Sequence, residues 1–170
     1  MNHEAKFLRI SAWWLLGLAV FSSSARAQDL ELSVAGAGPR KLEATLQQSI
    51  PRDYAKAWQT LEAALESGNP TELDRYWVGV AHDKFQRLVS DQAITGVEVR
   101  YEKPSHHLQA VFYPADGAAL LLYDTVTLEI EILRSGKTVH SESTTEKYLV
   151  LMTPAQDRWL VRVLQAVPLS

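Results

Sequence analysis

The apolar residues of this chain change period at Val97, and that change limits the folds open to it. Before it they recur every three or four residues; after it they alternate. Ile50, Tyr54, Ala57, Trp58, Leu61, Ala64 and Leu65 fall on one face of a helix that Pro51 suits in its first turn and Gly68 ends. Asn69 caps a second, short helix with Pro70 at its first position, Glu72 completing a capping box, and Leu73, Tyr76 and Trp77 on its apolar face. A third runs from about Ala81 to Asp91 with Phe85, Leu88 and Val89 inward. Then Val97, Val99 and Tyr101 alternate with Glu98 and Arg100, Lys103-Pro104-Ser105 turns the chain, and His106 to Phe112 forms a second strand. Pro114-Ala115-Asp116-Gly117 is a turn. Ala118 to Leu133 and Thr138 to Met152 are long strands joined by a two-residue loop at Ser135-Gly136, and Arg158 to Gln165 is the last strand. The fold class is therefore α+β, with N-terminal helices packed on an antiparallel β-meander. Strands of about 15 residues exceed the usual five or six and must bend, so the sheet wraps the helices as a cone.

The first residues read as an export signal. Lys6 and Arg9 precede a mostly apolar run from Ile10 to Phe21, and Ala25-Arg26-Ala27 supplies a small-residue cleavage site, giving a signal peptide over 1–27. That run is too short for a stable membrane span, which needs about 20 residues. With no cysteine there is no lipid anchor and no disulfide, so packing alone must stabilise the domain. Cleavage after Ala27 removes three of 17 basic and one of 20 acidic residues, leaving a net charge of −5 and no basic cluster, which argues against a nucleic-acid partner. The expected location is the periplasm or the medium. Residues 28–49, with Gly36 and Gly38-Pro39, read as a tether in which 40–48 can form a short helix, and 50–170 as the folded domain.

Over about Ile50 to Val167 the chain resembles the nuclear transport factor 2-like superfamily, which includes the SnoaL-like and ketosteroid isomerase-like proteins. The features are the helix with Trp58 and Leu61, the Leu73-Tyr76-Trp77 helix, Val126-Thr127-Leu128-Glu129-Ile130, Gly136-Lys137, Tyr148-Leu149-Val150-Leu151 and Arg158-Trp159-Leu160-Val161. The resemblance implies a cone-shaped, cystatin-like fold. It spans isomerases, dehydratases, hydrolases, transport adaptors and secretion-machinery domains, so fold alone does not select an activity.

One polar cluster stands out. If Arg134 pairs with Lys137, the ladder sets Asp124 against Lys147, and Asp124 is the only charge among Leu120, Leu122, Val126, Leu128, Ile130 and Ile132 on its face. The hydrophobic register of the preceding hairpin puts His106 opposite Asp124. A tighter loop puts His107 there and turns Leu108, Ala110 and Phe112 outward. One reading is an acid–base pair of Asp124 and His106 tuned by Lys147, with Tyr101 or Tyr76 as donor, as in a cofactor-free isomerase, dehydratase or hydrolase. The other is an Asp124–Lys147 ion pair edged by His106. Trp58, Tyr76, Trp77 and Tyr101 are the candidate lining for a small apolar ligand. The outer sheet face pairs Glu129 with Glu142 and offers Tyr123 and Tyr148 as a homodimer surface. His140-Ser141-Glu142 matches the H-x-E of zinc deaminases but lacks their cysteines, and His82 has no partner at i+4, so no metal or cofactor is expected. The favoured function is an exported, non-catalytic domain binding a small apolar ligand or a protein partner; a periplasmic assembly component is a further alternative.

Overall fold

The computed structural model describes residues 29–169. The signal-peptide segment lies outside the described residues. Eight elements follow in order: β1 (Asp29–Ser33), β2 (Gly38–Pro39), α1 (Ala44–Ser67), α2 (Gly79–Thr95), β3 (Val97–Tyr113), β4 (Leu120–Arg134), β5 (Lys137–Pro154) and β6 (Trp159–Val167), with a 3₁₀ turn over Pro70–Arg75. The two helices pack against a curled, open sheet, the α+β cone that the period change demands.

α1 buries every apolar residue of its expected face. It begins at Ala44 rather than at Pro51, which sits inside the helix. Proline there lacks the N–H that would bond the carbonyl four residues back, so the helix runs on with one rung missing. Gly68 ends it in the left-handed region at φ 68°. Asn69 then caps the next turn, its Oδ1 accepting the Thr71 N–H at 3.2 Å, but the turn is 3₁₀ rather than α.

The sheet order is β1-β3-β4-β5-β6, with β2 beside β3. The segment read as a tether is largely structured: β1 pairs in parallel with β3 from Asp29↔Ser105 to Ser33↔Gln109, and β2 sets Gly38 and Pro39 beside Phe112 and Tyr113. The sheet is thus mixed, and not the purely antiparallel meander expected. Asp-Leu-Glu-Leu-Ser does alternate, and Leu30 and Leu32 pack on the core, but five residues are too few for periodicity to reveal.

Three irregularities decide which side chains face the cone. Lys103-Pro104-Ser105 is no turn: β3 continues through it as a bulge between Glu102 and Ser105, with Lys103 at φ 52°. A bulge tolerates the missing proline N–H. A second shift between Ala110 and Phe112 turns Phe112 outward, 48% exposed, and Tyr113 inward. The third lies in the β4–β5 hairpin. Ser135 and Gly136 both have positive φ, and Arg134 pairs with Lys137 as expected. Leu133 pairs with Thr138 but Ile132 with His140, so Val139 is an extra residue and every later pair is displaced by one.

Buried polar groups join the layers. Asp53 on α1 is 1% exposed, and its Oδ2 accepts the Trp159 N–H of β6 at 2.9 Å. The Trp77 indole donates to the Ala57 carbonyl of α1 at 2.8 Å, and Val161 exchanges backbone bonds with Tyr76 and Val78. Gln92 of α2 donates to the Leu65 carbonyl and accepts the Val99 N–H.

Replacing Asp53 by Ala leaves the Trp159 N–H buried without an acceptor, at a cost of about 1–3 kcal/mol. The urea midpoint is expected to fall with an unchanged m-value; an unmoved midpoint refutes the role of this contact.

Candidate functional site: a sealed acid–base pair behind an aromatic cavity

Asp124 is on the inner face of β4 between Leu122 and Val126, and no part of it is exposed. Desolvating a carboxylate is expensive unless it is hydrogen-bonded. Two groups bond it, both at Oδ2, while its Oδ1 and the Nε2 of His106 are buried without a hydrogen-bond partner. Asp124 Oδ2 accepts the Tyr54 hydroxyl at 2.7 Å and lies 2.9 Å from His106 Nδ1, whose side chain is equally buried. The imidazole is the expected one, reached by another register: Leu108, not His106, is opposite Asp124, and His106 is opposite Val126. The displacement is by two residues, which preserves the face, and His106 reaches the carboxylate diagonally. Tyr54 stands edge-on to the His106 ring at 5.4 Å, and the Trp58 ring packs on it at 4.9 Å. Burial first, and then the Asp124 charge, hold the Tyr54 phenol well above its ordinary value, so it remains a donor.

Lys147 is not in the site. The extra residue at Val139 displaces β5 by one, sets Lys147 opposite Thr125, and sends its ammonium to the outer face, 4.8 Å over the Tyr123 ring. Tyr148 takes the place opposite Asp124. Its phenol is pushed up to about 12 by burial, then by Tyr101, Glu146 and Asp124. The same displacement corrects the outer face. Tyr123 and Tyr148 lie on opposite sides of the sheet and form no common homodimer patch. Glu129 meets Ser143 rather than Glu142, accepts the Ser141 hydroxyl at 2.8 Å and has Lys103 at 3.6 Å.

Of the four expected ligand-contacting residues, the fold brings two together. Trp58 and Tyr101 line a cavity of about 620 Å³ between α2 and the sheet, joined by Tyr148. Phe85, Leu88 and Leu164 form its apolar sides, and Lys84, Asp83, Arg87 and Asp91 of α2 its charged lining. That volume is in the range of small-molecule sites. Tyr76 belongs elsewhere, to a depression of about 480 Å³ beside Arg75 and Arg158, with the Arg158 guanidinium 5.5 Å from its ring. Trp77 is core, 1% exposed and 4.6 Å from Phe85. Neither Asp124 nor His106 lines the aromatic cavity, so a molecule held there does not touch the pair. General acid–base chemistry needs hydrogen-bond reach to the substrate.

Two site residues are not among the expected ones: Tyr54, read only as part of the helical core face, and Tyr148, expected on the outer sheet face. Tyr54 carries a usable signal: a tyrosine at a core helical position must find a partner for its hydroxyl, and Asp124 is the one carboxylate on the inner face of its strand. Among the described residues, no group of three or more His, Cys, Asp or Glu side chains is placed to hold a metal. His82 bonds Asp74 at 2.9 Å, and His140 is beside Glu142 at 3.4 Å. No helix of the described residues is long and apolar enough to cross a membrane.

The two tyrosines make alkaline stability informative. Each has a higher pKa in the fold than in the unfolded chain, so each contributes stability that is whole below about 10 and declines as pH rises through the folded value, for Tyr148 about 12. Tyr148→Phe and Tyr54→Phe are each expected to flatten the loss of stability above pH 10, measured by denaturant unfolding across that window. Tyr54→Phe also costs about 1–3 kcal/mol at neutral pH by removing a donor from a buried carboxylate. An unchanged alkaline slope in both variants refutes the assignment.

No family model matches the chain, and no curated protein matches it. Among solved structures, it is similar to the intermembrane space region of the chloroplast protein ARC6, at 14% identity over 76% of this chain and 98% of that one, with a TM-score of 0.61. It also aligns with a putative calcium/calmodulin-dependent protein kinase II association domain from Xanthomonas campestris, at 14% identity over 77% and 92% of the two chains, with a TM-score of 0.39. The likeness to the ARC6 region is one of fold: helices seated in a curled β-sheet, with the rest of the chemistry left to each chain's own side chains.

Proposed function

We propose that the chain is an exported, non-catalytic domain that holds a small molecule with an apolar body in the cavity between α2 and the sheet. The observation that carries this is the division between two neighbouring sites. The cavity of about 620 Å³ has an aromatic lining of Trp58, Tyr101 and Tyr148, whereas Asp124 and His106 have fully buried side chains and are absent from that lining. A cofactor-free isomerase, dehydratase or hydrolase acting through Asp124 and His106 requires its substrate to reach them. Binding requires only the cavity. Export rests on Lys6, Arg9, the run from Ile10 to Phe21 and the Ala25-Arg26-Ala27 site, and it predicts an isolated protein whose N-terminal residue is Gln28.

Nile red, a neutral apolar fluorophore, tests the binding reading. It is expected to bind the isolated protein and to quench part of the tryptophan fluorescence, which Trp58 of the cavity lining shares with Trp77 and Trp159. Leu88→Trp, which fills the cavity from the α2 side, is expected to weaken binding by at least about tenfold without lowering the unfolding midpoint. Failure of Nile red to bind, or equal binding to the filled variant, overturns the proposal.

A further inference from the structure

The same cavity has a charge pattern that narrows its ligand. Trp58 and Tyr101 stand 5.9 Å apart with their rings at 82°, two walls nearly at right angles, and Tyr148 adds a third aromatic residue to the lining. Aromatic rings attract cations through their quadrupole. The field behind them has the same preference. Glu146 and the buried Asp124 both raise the Tyr148 phenol, as nearby negative charge does. Asp91 adds a carboxylate on the cavity side of α2.

Two cations also line the space, and their environment does not suit them to hold an anion. Lys84 directs its ammonium to the Phe85 ring, 5.5 Å from the centroid, so one aromatic wall of this cavity already receives an ammonium. Partial desolvation there lowers the lysine from its ordinary value. Arg87 is four residues from both Asp83 and Asp91 on α2, within the spacing at which a helix lets opposite charges offset one another.

We infer that the cavity takes an organic cation, a quaternary or protonated amine carried on an apolar body, with the ammonium against the rings of Tyr101 and Tyr148 and Trp58 at the back. This rests on the binding reading above and specifies the chemistry of that ligand.

Three benzyl compounds separate charge from hydrophobicity: benzyltrimethylammonium, its uncharged isostere neopentylbenzene, and the smaller anion phenylacetate. By calorimetry on the isolated protein, the cation is expected to bind about tenfold more tightly than the neutral isostere, and the anion more weakly than either. Tyr148→Leu is expected to remove the preference for the cation, while Tyr148→Phe, which keeps the ring and guards against a merely unfolded variant, preserves it. Lys84→Gln removes a competing ammonium and is expected to tighten the cation by about threefold. Equal or tighter binding of neopentylbenzene or phenylacetate overturns the cation assignment and leaves the cavity as a binding site, provided that Nile red binds. If neither Nile red nor any of the three binds, both readings fall.

Discussion

A carboxylate buried inside a sheet must be supplied with donors, and the seating of α1 in this cone follows from that need. Asp124 receives one hydrogen bond from Tyr54 on α1 and one from His106 on β3, so a single acid joins three elements through side chains with no exposed surface. Hydrogen bonds to a charged group are worth about 1.5–3 kcal/mol each, and losing one partner of a buried ionic cluster costs about 3–5 kcal/mol. The helix therefore cannot slide or rotate in the cone without exposing or orphaning the acid. Asp53 ties α1 to the β6 edge of the sheet in the same way, by accepting the Trp159 N–H.

This arrangement also separates the buried polar cluster from the aromatic cavity. Trp58 packs on His106 and lines the cavity, so it stands between the buried polar cluster and the space a ligand would occupy. The charge of Asp124 still reaches that space: it acts on Tyr148, the residue across the ladder from it, through the floor of the cavity. A group outside the cavity lining thus acts on a residue within it, because a low-dielectric interior screens poorly.

Much of the fold is legible in the chain because its signals are local. The helical face from Ile50 to Leu65, the stop at Gly68, the cap at Asn69 and the Ser135-Gly136 hairpin each depend on a few neighbouring residues. Other segments mislead, two of them in whole elements. Asp29 to Ser33 alternates too briefly to stand out from a linker, and its parallel pairing with β3 joins residues more than seventy positions apart. Lys103-Pro104-Ser105 has the composition of a turn, yet β4 offers it a continuous partner on either side, and pairing overrides local preference by expelling the surplus residues as a bulge.

The candidate site divides along the same line. Sequence by itself determined that Asp124 is the lone charge on an apolar face and that a histidine shares that face, because alternation along a strand depends only on parity, and a register error of two residues leaves parity intact. Whether Lys147 or Tyr148 faces that acid, and whether Tyr123 and Tyr148 share a surface, only the tertiary structure decided. Both depend on one extra residue at Val139, a choice made by the twist and packing of the whole hairpin and marked by no residue type, and a displacement of one exchanges the two faces of a strand.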